Sequence, residues 1–142
     1  MTSAKAFLAV TLLVLVPSVV GCSASDAERV ATFDAIGPDE RVLFAGNEPF
    51  WSGEVFGGKL SYRTPERPAG EVIPVERFAG NNGLSFSGQL DGRPFDLAVT
   101  PGSCADTMAD RTYPYTVTLS VGRDVRFGCA WTEREPYRNT GS

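Results

Sequence analysis

Two alternating apolar runs near the C-terminus constrain the fold of this chain more than any other feature. Thr116–Val121 (TVTLSV) and Val125–Trp131 (VRFGCAW) flank Gly122-Arg123-Asp124. Period-2 alternation is the pattern of a half-buried strand, and a short glycine-containing link between two such runs is a hairpin. With Gly122-Arg123-Asp124 as a three-residue loop, Val121 faces Val125, Leu119 faces Phe127 and Val117 faces Cys129, all on one apolar side. Thr116, Thr118 and Ser120 take the other side, across from Arg126 and Gly128. This register sends Cys129 into the core.

Two further hairpins have the same logic. Gly57-Gly58 pairs Val55 with Leu60, Gly53 with Tyr62 and Trp51 with Thr64. Asp91-Gly92 is a type I′ signal that pairs Leu84 with Val99, Phe86 with Leu97 and Gly88 with Phe95. RVLFAG is a short apolar strand, RTPERPAGE reads as a loop, and EVIPVERF reads as an edge strand because Pro74 cannot donate to a central ladder. The sum is an all-β domain, a small antiparallel β-barrel or sandwich of about seven or eight strands. An open curved sheet with a loop cover is the alternative.

The N-terminus stands apart. Lys5 is a short positive region, AFLAVTLLVLV is an apolar stretch too short for a confident membrane span, and Val19-Val20-Gly21-Cys22 follows. The segment resembles a bacterial lipoprotein signal with its lipobox, which implies removal of residues 1–21 and a lipid on Cys22. Ser23 follows, not aspartate, which favours the periplasmic face of the outer membrane. An ordinary signal peptide or an uncleaved anchor is the alternative. Residues 22–40 read as a flexible tether with a short helix over Asp26–Ala35, residues 41–132 as the β domain and residues 133–142 as a disordered tail. Loss of the signal leaves 121 residues, enough for one core, and takes the formal charge from −4 to −5. An acidic chain argues against nucleic acid as a partner. With Cys22 on lipid, Cys104 and Cys129 remain as a pair, and an oxidising envelope permits a bond between them. Two free buried thiols are the other reading.

Composition excludes much chemistry. The chain has no histidine, so neither Ser-His-Asp nor Cys-His catalysis is available, and the commonest transition-metal ligand is missing. No phosphate loop or zinc spacing occurs, and no metal or cofactor is expected. Two tracts carry what chemistry there is. In Asn47-Glu48-Pro49-Phe50-Trp51, Pro49 stiffens a turn and Trp51 packs inside, or Glu48 and Trp51 line a ligand site. In Asp106-Thr107-Met108-Ala109-Asp110-Arg111, Asp106 caps a turn and Arg111 sits in a partly buried ion pair, or Asp106 and Asp110 share the face of a helical turn. Calcium would require more oxygen ligands than these two. Tyr113-Pro114-Tyr115 then opens the strand.

Together these tracts resemble an uncharacterised family of small bacterial envelope proteins, many of them lipoproteins. The matching residues are Gly46, Glu48, Pro49, Phe50 and Trp51, then Cys104, Asp106, Met108, Asp110, Arg111, Tyr113 and Pro114, then Gly128 and Cys129. Ala109 stands where the family has serine. The resemblance covers residues 43–130 and brings no established activity; members sometimes accompany META or lysozyme-inhibitor-like domains. The expectation is a lipid-anchored envelope protein with a binding or structural role and no catalysis, its partner an envelope protein or a small ligand. The candidate binding residues are Glu48, Trp51, Asp106, Asp110, Arg111 and Tyr113. Inhibition of a lysozyme-type cell-wall hydrolase is the alternative: such enzymes are usually cationic and this chain is anionic.

Overall fold

The computed structural model describes residues 31–106 and 108–140. Eight strands run in sequence order around a closed antiparallel barrel: β1 (Val42–Asn47), β2 (Phe50–Phe56), β3 (Lys59–Thr64), β4 (Arg67–Ala79), β5 (Leu84–Leu90), β6 (Arg93–Asp106), β7 (Arg111–Val121) and β8 (Asp124–Thr132). Strand β1 pairs with β8 to close the ring, and a short β9 (Arg138–Asn139) adds to β7. The barrel expected from the hairpin spacing is therefore present.

Turn chemistry sets two of the three predicted registers. Asp91 and Gly92 have φ of 51° and 73°, as a type I′ turn requires, and Leu84↔Val99, Phe86↔Leu97 and Gly88↔Phe95 all form. Gly57-Gly58 gives Val55↔Leu60 and Gly53↔Tyr62, but the ladder stops at Ser52↔Arg63, one pair short of Trp51 and Thr64.

The third register is shifted by one residue. Val121 pairs with Asp124, so the loop is Gly122-Arg123 alone, with Gly122 at φ 61° in the first position of a II′-like turn. Because side chains alternate, the slip turns β8 inside out. Gly128, Ala130 and Thr132 face the interior with Arg126, whereas Val125, Phe127 and Cys129 face outward. Val125 and Phe127 are 54% and 74% exposed. The interior explains the shift: Gly128 lies under the Trp51 indole and beside the Ala45 carbonyl, where a Cβ would overlap the backbone. A phenylalanine or valine at the positions of Gly128 or Ala130 would meet a filled core.

Strand β4 is not an edge. It pairs with β3 up to Pro74 and with β5 from Val75 onward, so proline sits at the handover between two partners. The expected loop RTPERPAGE shrinks to Pro65-Glu66 between β3 and β4, with a register shift near Tyr62–Thr64 and Gly70 at φ 81° absorbing the bend.

Side chains fill the interior, as an eight-strand ring allows. Phe44, Leu60, Phe95, Leu97, Val99 and Leu119 are fully buried. An aromatic chain crosses them, with centroids 5.7 Å apart for Phe44–Trp51, 6.4 Å for Trp51–Tyr62 and 5.6 Å for Tyr62–Phe95.

Both flanks of the barrel pack onto it. The Phe33 N–H donates to the Gly80 carbonyl at 2.7 Å, Ile36 is 1% exposed, and the Ile36 carbonyl accepts from Arg77 at 2.7 Å. The packed domain thus begins by Phe33 and not at Arg41, because the VATFDAI segment carries two apolar anchors. Residues 31–35 are not helical; the rest of the expected helix, the signal segment and Cys22 lie outside the described residues. Nor is the C-terminal segment a loose tail over its described part. Arg138 and Asn139 pair with Thr112 and Arg111, the Thr140 N–H donates to the Asp110 carbonyl at 2.7 Å, and the Tyr115 hydroxyl donates to Glu135.

Burial, and then the Glu135 carboxylate, raise the Tyr115 phenol above its ordinary pKa. A group whose folded pKa is raised contributes stability that is fully present below its unfolded pKa, about 10 for tyrosine, and is lost as pH climbs toward the folded value. The protein is therefore expected to lose stability above about pH 10. Tyr115→Phe should flatten that alkaline limb, as urea midpoints between pH 9 and 11 would show. An unchanged slope rules out this contribution.

Candidate functional site

The β6–β7 hairpin is longer than the barrel is tall. The two strands pair from Phe95↔Val121 to Pro101↔Tyr115, shift register, and resume at Cys104↔Tyr113 to end at Asp106↔Arg111. Beyond the shift the hairpin folds back as a flap over the outer face of β8. The Cys104 and Cys129 sulfurs lie at disulfide bonding distance, with Cα atoms 5.5 Å apart, and Cys129 points outward beside Thr116. The expected pairing is present, but it ties the flap to the outside of the barrel. Cys129 is buried by the flap and not by the core.

This folding-back joins the two sequence tracts. Asp106 Oδ1 accepts from the Met108 and Ala109 N–H groups at 2.9 and 3.3 Å, the turn cap expected of it. The same oxygen accepts from Asn47 Nδ2 at 2.8 Å. Between flap and barrel lies an open cleft of about 570 Å³ with Asn47, Glu48 and Asp106 at its polar end and Thr118, Val125 and Phe127 along its apolar side.

The six predicted residues fall in four places. Glu48 and Asp106 flank the cleft. Tyr113 borders it and belongs with Trp131 and Tyr137, at centroid separations of 5.2 and 5.4 Å. Arg111 stacks on that knot, its guanidinium 4.2 Å from the Tyr137 ring centre. The Tyr113 hydroxyl holds the Arg111 pKa above its ordinary value. Arg111 stacks on Tyr137, and among the described residues it forms no ion pair, although Asp106 also helps to raise its pKa. Asp110 closes the turn at φ 49°, so it does not share a helical face with Asp106. Trp51 lies inside the barrel at 3% exposure, its Nε1 unpartnered among the described residues, and belongs to the core and not to the site.

Sequence reasoning missed Val125 and Phe127, the apolar side of the cleft. A two-residue reading of Gly122-Arg123 would have placed both outside. Asn47, which joins the two tracts, carried no signal beyond its place in the first. Among the described residues no three acidic or sulfur side chains gather to hold a metal ion, and Asp106 is already spent on two amides and an amide side chain.

The chain matches no protein-family model, no curated protein and no solved structure.

Proposed function

We propose that this is a lipid-anchored envelope protein that works by binding a partner protein in the cleft between the flap and the outer face of β8. The observation that carries this reading is the pairing of a tied-down flap with exposed Phe127 and Val125. Large apolar side chains facing solvent beside fixed polar groups are the composition of a protein-binding patch. Lipid on Cys22 fits the apolar leader and the cysteine that follows it. The acidic character of the chain speaks against nucleic acid as a partner.

A second reading rests on the cleft rim. Glu48 and Asp106 stand at its polar end on a chain of formal charge −4, which suits a cationic partner such as a lysozyme-type hydrolase.

Crosslinked capture from intact cells, comparing wild type with Phe127→Ser and Glu48→Gln, tests both. A partner held by wild type and lost from the folded Phe127→Ser variant is the expected result; an identical catch from all three would remove the cleft as a binding site. Absence of inhibition by micromolar protein against a c-type lysozyme would sink the second reading. Palmitate labelling of wild type but not of Cys22→Ala is expected, and equal labelling would refute the anchor.

A further inference from the structure

The barrel end that carries the β3–β4, β5–β6 and β7–β8 turns is built differently from the outer cleft. On β8 the inward positions at this end are Asp124 and Arg126, opposite Val121 and Leu119. No large apolar side chain of β8 fills the interior here, and a recess of about 240 Å³ remains. Tyr62, Leu90 and Val121 give it apolar walls, each less than a tenth exposed. Arg126, half-buried, reaches into it and donates from Nη1 to the Tyr62 hydroxyl at 2.9 Å.

The charges around this recess are unevenly matched. Arg67 holds both Glu71 and Asp91 at the rim, the latter at 3.0 Å. Arg93 faces Asp124 at 3.8 Å. The Glu66 backbone N–H first, then Thr64 and more weakly the Arg126 guanidinium, hold the Glu66 carboxyl below its ordinary value. Arg126 is the exception. Its bond is to a neutral hydroxyl, and among the described residues no carboxylate lies within ion-pairing distance of it. A half-buried guanidinium keeps donors that want a charged acceptor.

Tyr62 adds a second donor. Its oxygen accepts from Arg126, so its own proton is directed elsewhere. Burial raises the phenol pKa, which keeps that proton in place at neutral pH. Two donors that converge beside apolar walls are the arrangement that recognises an oxyanion carried on an apolar body. The rim carboxylates Glu66, Glu71, Asp91 and Asp124 repel polyanions, and the volume limits the guest to a small one.

We propose that the barrel mouth is a binding site for a small monocarboxylic acid, its carboxylate on Arg126 and the Tyr62 hydroxyl and its apolar body against Leu90 and Val121. The site opens elsewhere than the outer cleft, although Arg126 borders both, and it does not depend on a protein partner there.

Equilibrium dialysis of the full chain against radiolabelled benzoate, with benzamide as the uncharged isostere, tests the proposal. Benzoate should be retained on the order of tenfold more than benzamide, because a charge-assisted bond separates them. Arg126→Gln should remove most of that difference, and Tyr62→Phe should weaken benzoate several-fold while leaving benzamide little changed. Should Arg126→Gln fail to fold by circular dichroism, Tyr62→Phe alone decides, since it deletes a single hydroxyl. Equal retention of the two probes, no retention of benzoate at millimolar concentration, or wild-type benzoate retention by a folded Arg126→Gln or Tyr62→Phe variant would each overturn the proposal.

Discussion

Trp51→Ala is expected to lower the stability of the domain by about 3–5 kcal/mol, the range for emptying a large aromatic site in a packed core. The ring is 3% exposed and packs at a tilt between Phe44 and Tyr62. It is accommodated by two glycines, Gly46 across the β1–β2 ladder and Gly128 on β8, whose missing side chains leave the space it occupies. Among the described residues its Nε1 has no partner, so the loss comes from packing and not from a hydrogen bond. Relaxation cannot close the gap cheaply, because glycine offers nothing to move inward. Chemical denaturation with far-UV detection gives the number. A loss below about 1 kcal/mol would mean that the ring is not in the core. Trp51→Phe should recover part of the loss.

Replacing Cys104 and Cys129 by serine is expected to cost about 3–4 kcal/mol in the chain-entropy account, since the bond closes a loop spanning 25 positions. The more specific expectation concerns the flap. Its remaining ties to the barrel wall include the Asn47–Asp106 bond and the Tyr113 contact with Trp131. Amide exchange over residues 102–112 should therefore accelerate more than exchange in β2–β5. Intact mass before and after reduction must first differ by two hydrogens. Uniform acceleration across the barrel would show that the bond supports the whole fold and not the flap alone.

The contrast between the two halves of the barrel shows what the sequence made legible. Asp91-Gly92 and Gly57-Gly58 admit only one loop length, because two residues with positive φ fill the turn. Their ladders follow directly. Gly122-Arg123-Asp124 admits two lengths, and apolar matching across the strands chose the wrong one. That criterion assumes every large apolar residue is inside. Here Val125 and Phe127 are outside, and glycine and alanine are inside because the Trp51 indole reaches across β1 from β2. No local pattern on β8 reports a ring supplied by β2.

The site was legible to the same degree. Both tracts were visible as polar and aromatic clusters, and the cap by Asp106 followed from its position before a turn. Their meeting at Asn47 and Asp106 depends on a flap that folds back, which strand periodicity does not encode. The flanks were misread for a related reason. Phe33, Ile36 and Tyr137 are isolated apolar residues in polar segments, and only the finished barrel offers them a surface.

The seam between β1 and β8 has a consequence for how the chain reaches this state. Val42 lies opposite Thr132, so the ring closes only after nearly the entire chain is available. Contacts between such distant positions are the slow ones in folding, because a long loop must be ordered before they form. The six ladders from β2 to β8 join consecutive strands and can zip up in order as the chain emerges. Until β8 arrives, β1 presents an open edge and Trp51 has no floor from Gly128. A chain that stops short of Val125 would keep its hairpins and still lack a barrel.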